Sequence, residues 1–183
     1  MDQPSQQAAL QTYLLPDERI LWTGRPDPRR LFTVADLWLV PFSLLWGGFA
    51  LVWETLVLSS SAPWFFVLWG VPFVVVGQYF IWGRFLYKRW DRSRTTYAVT
   101  NRRIIVLKGH RLQSVSVNPL PQINQSTGRD GEGTLAFGTT PFGYGIWANT
   151  GMDWFSRHAA PVAFYDIPDV NNVYRVVASA TAG

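Results

Sequence analysis

Few residues in this 183-residue chain have the types and spacing that chemistry requires. Cysteine is absent, which removes disulfides, thiolate metal ligands and thiol nucleophiles together. The two histidines, His110 and His158, stand apart and lack the further ligands a metal ion needs. Ser156 lies close to His158, but a nucleophile and its base are defined by geometry, not by nearness in sequence. Gly143-Tyr144-Gly145 matches a potassium-filter tripeptide. A filter, however, needs its loop buried between membrane helices of a tetramer, and this one follows every long apolar run. The glycine-rich Gly128-Arg129-Asp130-Gly131-Glu132-Gly133 joins strand to strand and so offers phosphate no helix N-terminus. The expectation is a chain that is not an enzyme, with no cofactor and no metal.

Charge is the more informative chemistry. The chain has 16 Lys/Arg against 12 Asp/Glu, a net +4, but nine of those cations fall within residues 84–111 with Asp91 as the one acid. Arg84, Lys88, Arg89 and Arg92 continue an apolar run, where clustered cations are drawn to anionic lipid by about 1 kcal/mol each. Such charges can also do no more than set topology. Arg102 and Arg103 stand at a hairpin end that could aim side chains and amides at a phosphorylated headgroup. The alternative is a solvated or structural turn. A basic run abutting an apolar helix fits lipid better than nucleic acid, so no nucleic-acid partner is expected.

These residues must be positioned by two apolar stretches. Residues 37–53 carry no Asp, Glu, Lys, Arg or His, Glu54 follows, and none recurs until Arg84. Seven of the ten tryptophans lie between Trp38 and Trp90. A bilayer span takes roughly 20 apolar residues. The pattern predicts transmembrane helices over 33–58 and 64–90, joined by an external turn at 59–63, Ser59-Ser60-Ser61-Ala62-Pro63. Pro41 is expected to kink the first helix. Gly47, Gly48, Gly70 and Gly77 are expected at helix contacts, and Gln78 is expected to bond across to helix one or to a second copy. Glu54 reads as an interfacial carboxylate near the outer end rather than an ion relay. Trp38, Trp64, Trp82 and Trp90 read as interfacial anchors.

The external turn holds no Lys or Arg, whereas Arg25, Arg29 and Arg30 precede the first helix and Arg84, Lys88, Arg89, Arg92 and Arg94 follow the second. The positive-inside rule therefore places both termini in the cytoplasm of a two-helix inner-membrane protein. Met1-Asp2-Gln3-Pro4-Ser5-Gln6-Gln7 has no positive n-region of a cleavable signal peptide.

Residues 1–32 form an N-terminal segment, with helical turns near 8–15, a short extended piece around Ile20-Leu21-Trp22-Thr23-Gly24 and a turn at Pro26-Asp27-Pro28. Past Arg94 the period falls to two. A hairpin turns at Asn101-Arg102-Arg103, and further strands are predicted over 112–117, 123–127, 134–138 and 161–165. Asp169 can cap a last helix with Val170, Val173, Tyr174 and Val177 on one face. Residues 139–160, rich in glycine and aromatics, read as an inserted loop.

Three stretches carry a resemblance. Leu15-Pro16-Asp17-Glu18-Arg19-Ile20-Leu21-Trp22-Thr23-Gly24-Arg25-Pro26, then two apolar helices, then Tyr97-Ala98-Val99-Thr100-Asn101-Arg102-Arg103-Ile104-Ile105 resembles the bacterial pleckstrin-homology-like (PH-like) membrane proteins. Phe164-Tyr165-Asp166-Ile167-Pro168-Asp169-Val170 is similar to the way that domain enters its C-terminal helix. The resemblance implies a helical hairpin plus a mainly-β domain over 91–183, two antiparallel sheets closed by a C-terminal helix, and it transfers no catalytic residue. The expected function is a membrane-anchored, non-catalytic module binding anionic lipid headgroups or a protein partner. The alternative is an assembly subunit that oligomerises through its helices.

Overall fold

A computed structural model describes residues 8, 10–128, 130–139, 147–153 and 161–181. It divides into two units, one of Met1–Arg30, Trp90–Gly145 and Ser156–Gly183, the other of Leu31–Arg89 and Ile146–Phe155.

In the second unit, helix α1 spans Asp36–Ser59. It begins three residues later than the apolar pattern predicts. The Thr33 amide and hydroxyl both donate to the Asp36 carboxylate, so this acid reaches back across the first turn in the manner of a capping box. Pro41 is accommodated inside α1 and Pro72 inside α2, Trp64–Gln78. A five-residue π-helical turn, Tyr79–Gly83, separates α2 from α3, Arg84–Ser93. The two long apolar segments, 24 and 30 residues, are each long enough to cross a membrane.

Glycine sets how closely these helices approach. A Cβ on Gly77 would come within 2.9 Å of the Gly47 Cα, and one on Gly70 would land on a Glu54 carboxylate oxygen. The Gly47–Gly77 and Glu54–Gly70 pairings give α1 and α2 an antiparallel register. Gly48, by contrast, faces open space. Trp46 and Phe73 pack across the same contact with ring centroids 6.2 Å apart.

The first unit holds two antiparallel sheets. One has the order β1 (Ile20–Gly24), β2 (Thr95–Thr100), β3 (Arg103–Lys108), β4 (Arg111–Ser116). The other has the order β5 (Ile123–Thr127), β6 (Gly133–Phe137), β7 (Val162–Ile167). The extended piece near Trp22 is thus not a separate segment, because it pairs with β2 as an edge strand. Strand β2 is buried along its whole length, and alternation sends its side chains into two different cores. Tyr97 and Val99 join Ile104, Val106, Leu135, Phe137 and Phe164 between the sheets. Ala98 joins Ile105, Leu107 and Leu10 on the opposite face, beneath Tyr13 and Leu14 of the N-terminal turn.

Helix α4, Val170–Ala180, closes the main core with Val170, Val173 and Val177. Asp169 accepts the Asn172 amide at 3.2 Å, the N-cap its position predicts. Tyr174 departs from expectation. It is 40 % exposed, because the buried stripe takes only the three valines.

Candidate functional site

Lysine and arginine side chains bury only when partnered, so the partners decide which cations can reach a ligand. Arg103 donates Nε to Glu18 Oε1 at 2.9 Å and Nη2 to Glu18 Oε2 at 3.0 Å and to the Tyr13 carbonyl at 2.6 Å. Thr100 donates its hydroxyl to Glu18 Oε1 at 2.8 Å, and the Leu15 amide donates to Oε2 at 2.7 Å. Asn101 Oδ1 accepts the Arg19 amide at 2.8 Å. Burial pulls the Glu18 carboxyl upward, yet Arg103, the Leu15 amide and the Thr100 hydroxyl outweigh it and hold the acid below its ordinary value. The two stretches most characteristic of the sequence, around Glu18 and around Thr100-Asn101-Arg102-Arg103, are therefore one clamp that holds the N-terminal turn against the first sheet. Only Arg102 of the hairpin pair is left exposed.

Three of the four helix cations are also engaged. Arg92, 4 % exposed, pairs with Asp166 and donates to the Asp27 carbonyl at 2.6 Å. Lys88, 3 % exposed, donates to the Leu31 carbonyl at 2.8 Å. Arg84, 1 % exposed, pairs with Asp36, itself 4 % exposed. Arg89 alone of the four is exposed. Of the six headgroup candidates, Arg84, Lys88, Arg92 and Arg103 are engaged inside the fold, and Arg89 and Arg102 face solvent. Alternation of charge along a helix does not reveal this, because the acids and carbonyls involved lie far away in sequence. Arg94, held over the Trp90 ring at 4.2 Å, and Arg111 are further exposed cations.

The helix-contact residues sort similarly. Gly47, Gly70 and Gly77 lie at the α1–α2 contact and Gly48 does not. Gln78 accepts a hydrogen bond from Trp82 Nε1 at 2.8 Å on its own helix, one turn on, rather than reaching α1. Glu54 is turned toward α2, and its Oε2 is buried with no hydrogen-bond partner among the described residues.

The structure adds a site that no motif pointed to. The inserted loop, where it is described, folds onto the helices of its own unit. Tyr79 donates its hydroxyl to the Gly151 carbonyl at 2.6 Å, and a Cβ on Gly151, whose φ is +84°, would fall on the Arg84 carbonyl. Within the loop, Thr150 donates its hydroxyl to the Trp147 carbonyl at 2.7 Å and its amide to Asp153 at 3.1 Å. Together, loop and helices line a half-open cavity of about 400 Å³ bordered by Trp38, Phe42, Phe80, Arg84, Trp147 and Met152 among others. The π-helical turn shapes one wall. It supplies Phe80, and Arg84 follows it directly, with Nε on the Phe80 carbonyl at 2.9 Å and Nη1 on Asp36.

His110 is exposed, and among the described residues no three His, Cys, Asp or Glu side chains converge on a common point. His158, Ser156 and Gly143-Tyr144-Gly145 lie outside the described residues. No protein-family model, curated protein or solved structure matches the chain.

Proposed function

We propose that the chain is a membrane-anchored, non-catalytic binding module. Its two long helices cross the inner membrane with both termini in the cytoplasm, and its β unit is a PH-like domain held at the inner leaflet. One observation carries this reading. Only 17 % of the first apolar span and 11 % of the second are buried, whereas core helices of a soluble protein would be mostly covered. Side chains such as Leu45, Phe49, Leu56, Trp64 and Leu68 therefore need hydrocarbon around them. Two antiparallel sheets of four and three strands with a C-terminal helix are the arrangement that the PH-like resemblance implies.

Exposed Arg89 and Arg102 are the cations this reading assigns to anionic headgroups. Short-chain phosphatidylglycerol titrated into the detergent-solubilised full chain should bind more tightly than phosphatidylcholine. Replacing both arginines with alanine should cost about 2 kcal/mol, roughly thirty-fold in affinity. Equal binding of the two lipids would remove headgroup recognition and leave a protein segment as the ligand. A second reading, a homo-oligomeric assembly subunit, is favoured by Gly48, a small residue on α1 that faces open space. Native mass spectrometry of the same sample would give a defined oligomer, lost in Gly48→Leu, if that reading holds.

A further inference from the structure

Where residues 147–153 sit along the helices fixes their surroundings. Helix α2 has 15 residues, so Tyr79, which follows it, lies about 22 Å along the axis from Trp64. The five-residue π-helical turn puts Arg84 about 7 Å further on. Hydrocarbon is roughly 30 Å thick, so with Trp64 anchored at the outer boundary Tyr79 is still within it and Arg84 is at the inner boundary. Gly151 is tied to both. Its carbonyl accepts the Tyr79 hydroxyl at 2.6 Å, and it packs so closely on Arg84 that a Cβ would fall on the Arg84 carbonyl. A segment held at that depth must have its backbone satisfied without help from water. Thr150, 1 % exposed, does this at the centre of the loop. Its hydroxyl donates to the Trp147 carbonyl at 2.7 Å and accepts the Met152 amide at 3.3 Å, while its own amide donates to Asp153 at 3.1 Å.

Exposed tryptophans mark the same level. Trp38 stands in the first turn of α1, which opens with Asp36, the partner of Arg84, and Trp82 stands in the π-helical turn just before Arg84. Trp147 of the loop borders the same hollow as Trp38 and Arg84. Trp38, Trp82 and Trp147 are 80 %, 54 % and 40 % exposed, and tryptophan is a residue that collects at the headgroup boundary. We propose that residues 147–153 are a third membrane-contacting element, seated in the inner headgroup boundary with Trp147 as its anchor. The inference rests on the membrane reading and gives the inserted loop a role that neither the hairpin nor the sheets supply. The contact is with the bilayer as a surface and not with a chosen headgroup, because residues 147–153 hold no Lys or Arg.

The chain holds no cysteine, so single cysteines can be introduced into the full-length protein and spin-labelled without background. Trp147→Cys and Ala148→Cys report on the loop, Trp38→Cys on the boundary, Phe49→Cys on mid-span and His110→Cys on the exposed surface of the β unit. In phosphatidylcholine vesicles equilibrated with oxygen and with a water-soluble nickel chelate, the two collision rates give the depth of each label. The loop labels are expected close to the Trp38→Cys depth, between the values for Phe49→Cys and His110→Cys. Tyr79→Phe, which removes the tie to Gly151, should raise nickel collisions at Ala148→Cys several-fold and leave those at Phe49→Cys unchanged. Loop labels as open to nickel as His110→Cys would overturn the proposal. So would labels shielded from oxygen and nickel alike, which would mean that protein covers the loop. A depth equal to that of Phe49→Cys would refute the boundary placement. Free access of nickel to Phe49→Cys would instead sink the membrane reading. An unchanged rate in Tyr79→Phe would remove the role given to Tyr79.

Discussion

Tyr97 and Glu18 show how single polar groups are kept inside a small β unit. The Tyr97 ring stacks on Phe164 at 4.6 Å, while its oxygen accepts the Tyr165 amide at 3.1 Å. Burial pushes its phenol well above the ordinary value, and the hydrogen bond to Tyr165 offsets only part of that. Tyr97→Phe keeps the ring but leaves the Tyr165 amide without its acceptor. It should cost about 1–3 kcal/mol, measured by chemical unfolding of the detergent-solubilised chain. Glu18 adds a pH dependence. Its folded carboxyl sits below the ordinary glutamate value near 4.3, so its contribution is complete above that value. It is lost as pH falls through the lower, folded value. Amide exchange in β1 should therefore rise on acidification below about pH 4, relative to the intrinsic rate, in the wild type. In Glu18→Gln the same amides should exchange faster already at neutral pH. Wild-type protection unchanged at low pH would refute this role. None of it was legible locally, because Glu18 and Arg103 are 85 residues apart and read separately as a charged turn and a basic hairpin.

For the helices, the contact between α1 and α2 depends on absent side chains. Gly77→Leu would drive a side chain into the Gly47 backbone, which cannot rotate aside, and should lower stability by about 1–3 kcal/mol. Gly48→Ala meets nothing within the chain and should leave thermal stability in detergent unchanged. The reverse order of effects would mean that α1 presents its other face to α2. Asp36→Ala tests the start of α1. It strands Arg84 as a buried unpaired cation and should cost about 3–5 kcal/mol by the same measurement. That Gly70 and Gly77 share a face was readable from their spacing of seven. Which residue each glycine meets was not, because that depends on the offset of the second helix.

For the molecule as a whole, topology is the decisive measurement. A reporter fused after Gly183 should be active only in the cytoplasm, since Lys and Arg flank the outer ends of the two spans and are absent from the turn between them. A periplasmic signal would overturn the orientation and, with it, the headgroup role of Arg89 and Arg102. The sequence by itself determined the two apolar helices, most of the strands and the capped last helix. Each of these is written in contiguous residues as a period, a composition or a turn, so a short window contains the whole signal. Only the tertiary structure decided which cations are spent and which are exposed, and that residues 147–153 roof a cavity beside a π-helical turn. Those outcomes depend on pairs such as Arg84 with Asp36, 48 residues apart, and Tyr79 with Gly151, 72 apart, whose meeting no local pattern encodes. The basic stretch that looked like one lipid-facing surface is, once folded, mostly a set of internal fastenings, with Arg89, Arg94, Arg102 and Arg111 left exposed. Burial of a charge is decided by the partner that the fold brings to it.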